Sequence, residues 1–240
     1  MEEEELHEYL DNKTEEKGII DIADVEKICP CAPTQEGIQL SKMCASAPDY
    51  NVLATISIHP VRDNDAVNLR LILRSWQQVV DRHHILGTTL VESVEYGCFS
   101  DQIILSQWTA DSRQAESLKD SPEVLKFLEH KPAHRLTLAR GGKGSVFCRL
   151  EIDHTFTDGI SVAIIMCDLA SANVDDLPST PPPRYSEYIA FLQDGGGDAH
   201  LRYWTQLLSG ARPCLFLTAE TPLGSDENYI PQRAVPAPKI

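Results

Sequence analysis

Apolar residues recur along this chain with two rhythms, and the exchange between them predicts its elements. Between positions 50 and 59, Val52, Ala54, Ile56 and Ile58 occupy every second place, the period of a strand with one buried face. Between 65 and 85, Val67, Leu71, Ile72, Trp76, Val79 and Val80 follow helical spacing and make the clearest amphipathic helix in the chain. Trp76, and later Trp204, lie on apolar helical faces and are expected in the core. A turn-rich stretch from 21 to 33 precedes a helix that Thr34 caps and that runs to about position 45. Short strands are expected over 88–94 and 103–107, and a helix over 122–130 with proline in its first position.

Residues 134–139 and 145–152 flank Arg140-Gly141-Gly142-Lys143-Gly144, a hairpin signature with glycines at the turn. From 159 to 170 the chain reads as a helix with Ile160, Val162, Ala163, Ile164, Ile165 and Met166, apolar enough to be expected buried. An extended linker ends in Pro181-Pro182-Pro183. Helices over 185–192 and 200–208 follow, then a loose tail from 218 to 240. Helices and strands alternate throughout, which predicts a mixed α/β domain of ordinary core size.

Composition narrows the function classes. Hydrophobic content of 42% and charged content of 24% suit a globular protein. No apolar run reaches membrane-spanning length, and Glu2 to Glu5 are unlike a signal peptide, so the expected location is cytoplasmic. The net charge is −15, of which residues 1–16 carry −7; an acidic leader over 1–20 is the simplest reading. An acidic body without a basic stripe argues against nucleic acid. Seven scattered cysteines are expected as reduced thiols, and Cys29 and Cys31 are too close for a zinc knuckle and read as packing residues. The adjacent His83 and His84 do not face one another on a helix and read as a helix end, so no metal site is expected.

The chemistry concentrates in His154-Thr155-Phe156-Thr157-Asp158-Gly159, where the second hairpin strand gives way to the apolar helix. An imidazole four residues before an Asp-Gly pair suits acyl transfer: the ring handles the nucleophile's proton while the carboxylate and glycine hold the loop. Helix capping alone would justify Asp158.

The stretch Glu151 to Ser161 resembles the His-His-x-x-x-Asp-Gly loop of the condensation domains of nonribosomal peptide synthetases, particularly fungal ones. Cys29-Pro30-Cys31-Ala32-Pro33-Thr34-Gln35-Glu36-Gly37 is similar to the family's opening motif. Asp81 to Leu90, Tyr185-Ser186-Glu187-Tyr188 and Tyr203 to Gly210 resemble later landmarks in the family's order, covering roughly 21–217. The resemblance implies a chloramphenicol-acetyltransferase-like lobe, a mixed sheet flanked by helices, forming half of a two-lobed pseudo-dimer. It implies amide-bond formation between carrier-bound aminoacyl or peptidyl thioesters in secondary-metabolite biosynthesis. His154 would take the amine proton or hold the amine in line. Asp158, as a buried carboxylate, would fix the loop, and Gly159 would turn the backbone sharply and leave room for substrate. Asp153 and Ser161 would be structural neighbours. No bound cofactor is implied, since the substrates ride on the phosphopantetheine of carrier domains. The implied partners are those carriers and a C-terminal lobe beginning near 218, which would supply an arginine to pair with Asp158.

This chain departs from the motif at Asp153, where the first histidine is usual, and at Gly87, where an arginine is usual. A carboxylate beside His154 would alter its titration. Two further readings fit the same residues: a non-catalytic remnant or carrier-docking module, and a stand-alone coenzyme A-dependent acyltransferase. The second of these normally carries an Asp-Phe-Gly-Trp-Gly stretch that this sequence lacks.

Overall fold

The computed structural model describes residues 22–44, 51–62, 65–93, 100–118, 131–194 and 197–211. The expected leader, the helix over 122–130 and the tail from 218 lie outside these residues. The long amphipathic pattern becomes helix α2 (Leu69–Arg82), entered through Asn68, whose side chain accepts the Arg70 N–H at 3.0 Å. Its apolar stripe, Leu69, Ile72, Trp76, Val79 and Val80, is buried. Here α1 denotes Pro33–Cys44, the earlier helix. It starts one residue before Thr34, at a proline suited to the first helical position. Gln35 Oε1 accepts the Ala32 N–H at 2.9 Å, which satisfies the helix entry in place of a Thr34 cap.

Among the described residues, two sheets form the body. The larger has the order β2 (Asn51–Ile58), β7 (Val146–Asp153), β6 (His134–Arg140), β5 (Ser112–Ala115). Its first two pairings are antiparallel and β5–β6 is parallel. Alternation along β7 turns Val146, Cys148, Leu150 and Ile152 inward. They meet Leu136 and Leu138 of β6, the stripe of α2, and Ile165, Leu169 and Ala172 of α3 (Gly159–Asn173) in one core. The smaller antiparallel sheet has the order β1 (Val25–Pro30), β4 (Ser100–Leu105), β3 (Thr88–Glu92). Helix α4 (Tyr185–Asp194) sets Ile189 against Cys29, Ala32 and Ile104 of that side.

Strand β1 falls where a turn-rich stretch is expected. Its charged residues and terminal proline mask it in sequence, yet it pairs with β4 through a register shift between Val25 and Lys27. At the β6–β7 turn, Lys143 and Gly144 are left-handed, with φ of 54° and 73°. A Cβ on Gly144 would come within 2.3 Å of the Asp65 carbonyl oxygen, so the glycine is required where this turn meets the entry to α2. Helix α3 is buried on one face only: Ile160 is 74% exposed and Ile164 50%. A helix apolar all round carries no sequence mark of which face is covered, hence the expectation of full burial.

The chain divides into two compact units, Met1–Asp194 and Gly195–Ile240. The second contributes α5 (Gly197–Leu207), on which Tyr203 and Trp204 meet edge to face at 5.4 Å. Trp204 is half exposed, against the core expectation, whereas Trp76 is fully buried. Among the described residues, no helix is long and apolar enough to cross a membrane.

Candidate active site

Strand β7 ends at Asp153, and the next five residues form the turn that delivers the chain to α3. Two short bonds shape it. Asp153 Oδ1 accepts the Thr155 N–H at 2.8 Å, and the Asp153 carbonyl accepts the Phe156 N–H at 3.0 Å. Asp158 then takes the N-cap position of α3, its Oδ1 accepting the Ser161 N–H at 2.7 Å. The Ser161 N–H and hydroxyl hold the Asp158 carboxyl below its ordinary range. The carboxylate is exposed rather than buried, so its capping role stands and the burial expected of it does not.

His154 sits at the exposed crest of this turn. Its Nδ1 lies 2.6 Å from the Thr157 carbonyl oxygen, and because a carbonyl only accepts, Nδ1 carries the hydrogen. A neutral ring therefore keeps its lone pair on Nε2, the nitrogen left free of this anchor. The ring borders a cavity of about 660 Å³. Ile38 of α1, Phe156, Ile164, Ile165, Pro182 and Pro183 give this cavity apolar walls, and His84, Arg184, Tyr185 and Tyr188 stand around it.

Gly159 opens α3 without a left-handed backbone, so a sharp turn is not what calls for glycine there. A Cβ at that position would meet nothing within 4 Å. Asp153, the residue in place of the first histidine, is buried and forms an ion pair with Lys42. Its charge is thus engaged by an ammonium group.

His83 and His84 both find carboxylates. His83 Nε2 lies 2.8 Å from Asp168 Oδ2, which also takes Arg82 Nε at 3.0 Å. His84 Nδ1 lies 3.0 Å from Glu26 Oε2, and the other oxygen of Glu26 lies 2.5 Å from an Arg184 nitrogen. Among the described residues, no group of three or more His, Cys, Asp or Glu is arranged to hold a metal ion. Cys29 and Cys31 are buried thiols outside any disulfide. Cys148 is a third, its pKa pushed up to about 11 by burial, which makes it a packing residue rather than a nucleophile. Gln35, quoted only as part of the opening motif, and Gln39 and Lys42, not singled out in the sequence, all hold the loop from α1. Their i, i+4, i+7 spacing was visible, but a polar helix face normally signals water.

The family model described as "Condensation domain" matches residues 25–233. The chain is 35% identical over 215 residues to the FR901469 synthetase of Dothideomycetidae sp. (strain 11243), covering 87% of this chain and 1% of that protein. It is 36% identical over 202 residues to the nonribosomal peptide synthetase vlms of Lecanicillium sp, covering 80% of this chain and 2% of that protein. The condensation domain from the monacolin K polyketide synthase MokA superposes with a TM-score of 0.63 at 15% identity, covering 88% of this chain and 50% of that one. This chain therefore spans a small part of those synthetases and half the length of that solved domain. Five sequence landmarks in order, a loop that presents an anchored histidine to a cavity and a family match across most of the length agree: the chain belongs to the condensation domain family of nonribosomal peptide synthetases.

Proposed function

We propose that this chain supplies the histidine-bearing lobe of an amide-bond-forming acyltransferase acting in the cytoplasm on carrier-bound substrates. The observation that supports it most is the anchoring of His154 Nδ1–H on the Thr157 carbonyl beside a cavity of about 660 Å³. In the proposed reaction, His154 Nε2 accepts a hydrogen bond from the α-amine of an aminoacyl thioester and directs its lone pair at the carbonyl carbon of a second thioester. The C–N bond forms, the tetrahedral adduct collapses, and the C–S bond breaks. The proton released by nitrogen passes through Nε2 to the departing sulfur, which leaves as a thiol. The thioester is already activated, so no resident cofactor is required.

Asp158 holds the entry of α3 and keeps the loop in register, while the space beside Gly159 is left to substrate. The lobe is taken as 21–217, with 1–20 as a leader and 218–240 opening a C-terminal lobe that completes the cleft. The proposed partners are that lobe and carrier domains whose phosphopantetheine arms enter the apolar-walled cavity. Identity to peptide synthetases favours carrier-bound thioesters over free coenzyme A as the acyl source. The test is dipeptide formation from two loaded carriers by the domain completed with its second lobe, followed by mass spectrometry of the carriers. Product from the native sequence and at least about a hundredfold less from His154→Ala is the expected result; equal yields overturn the reading.

A further inference from the structure

Gln35, Gln39 and Lys42 lie along one face of α1, and all three reach the same short piece of chain. Gln35 Nε2 donates to the Thr155 carbonyl at 3.1 Å, and Gln39 Nε2 donates to Thr155 Oγ1 at 2.8 Å. Lys42 Nζ lies 3.2 Å from the same hydroxyl and pairs with Asp153 Oδ2. Thr155 is thus held at its carbonyl and its hydroxyl from α1 and at its N–H by Asp153. Asp153 and His154 are neighbours in sequence but differ sharply in setting, the first 3% exposed and the second open to solvent. A carboxylate next to a proton-handling imidazole favours the charged form of that imidazole unless something cancels it.

We infer that Lys42 is a positioning residue of the active site: its ammonium cancels the Asp153 charge and, with Gln35 and Gln39, fixes the loop that aims His154. The inference rests on the role proposed for His154, but its test does not use turnover. The titratable groups that border the same cavity are Asp158 on the loop itself, His83 and His84 beyond α2, Arg184 before α4, and Tyr185 and Tyr188 on α4. These stay constant across the variants, so a difference in the titration of His154 reports on the Lys42–Asp153 pair.

The experiment follows the His154 ring signals by NMR across neutral pH in the 240-residue chain. Lys42→Met leaves the carboxylate uncompensated and raises the His154 midpoint by about half a pH unit. Asp153→Asn removes the carboxylate while keeping the ammonium and lowers the midpoint by a similar amount, a shift of opposite sign that serves if the methionine variant fails to fold. The double variant returns to the native midpoint, and Lys42→Arg keeps it. Single variants that titrate like the native chain, or a double variant displaced as far as Lys42→Met, overturn the inference. If His154→Ala retains full dipeptide yield while these shifts appear, the charge pair survives and the catalytic reading falls.

Discussion

Two histidines at the ends of the central hairpin live under opposite rules. His134 begins β6, 1% exposed, its ring edge to face with Trp76 at 5.5 Å. Among the described residues, neither of its ring nitrogens finds a partner for a well-formed hydrogen bond. Burial pulls its pKa down from 6.5 to about 4, with Asp111 and the Leu86 backbone pulling weakly the other way. His154, just past the end of β7, is exposed and held at one nitrogen by the Thr157 carbonyl. The first is an apolar plug that resists protonation, and the second is tethered at one nitrogen with the other open to its surroundings. The contrast teaches that an imidazole becomes chemically useful when one nitrogen is fixed and the other is left to its surroundings. Burial without partners gives packing alone.

The comparison breaks most sharply at position 154. His154→Ala should lower the rate of amide formation by about 10²- to 10⁴-fold in the completed domain. The same variant should leave the thermal midpoint nearly unchanged, since an exposed ring contributes little packing. A large fall in melting temperature would show that the residue holds the fold instead.

His134 should behave in reverse. Its folded pKa is below 6.5, so on acidification the unfolded chain takes up a proton that the folded chain refuses. Stability from this group is therefore full above pH 6.5 and falls as the pH drops towards 4. The loss at pH 5 comes to about 2 kcal/mol. Urea melts at neutral pH and at about pH 5 measure it, and His134→Leu should flatten the difference by most of that amount. An unchanged slope would mean that the ring is reached by water.

The smallest effect is expected at Asp158. Removing the cap with Asp158→Ala should cost about 1 kcal/mol in a denaturant melt, while Asp158→Asn keeps an accepting oxygen and most of the stability. The carboxyl is held below its ordinary range by Ser161, so the ionised cap contributes above the usual carboxylate pKa and is lost as pH falls through the lowered folded value. A melt of Asp158→Asn as weak as that of Asp158→Ala would place the effect on the charge rather than on the hydrogen bond.

What the sequence disclosed follows from the range of each interaction. Helix α2 and the β6–β7 hairpin announce themselves because their signals are local, a 3.6-residue stripe and a glycine turn. Strands β1 and β5 do not: one ends in Pro30 and the other, Ser112 to Ala115, has no large apolar residue, and each is an edge strand among the described residues, held by its neighbour's backbone. His154 and Asp158 were legible because their spacing is contained in one loop. Lys42 was not, because its meaning depends on Asp153, which lies 111 residues away in the chain.

The Glu26 carboxylate, shared between His84 and Arg184, also bears on the order in which the molecule is built. It joins the first strand to a residue 158 positions further along, at the wall of the cavity beside His154. A chain emerging from the ribosome can complete the cores of its hairpins early, but this clasp cannot close until synthesis has passed Arg184. The cavity beside His154 is therefore among the last parts of the described fold to mature, and a nascent chain halted before that arginine would carry the histidine without the wall that closes around it.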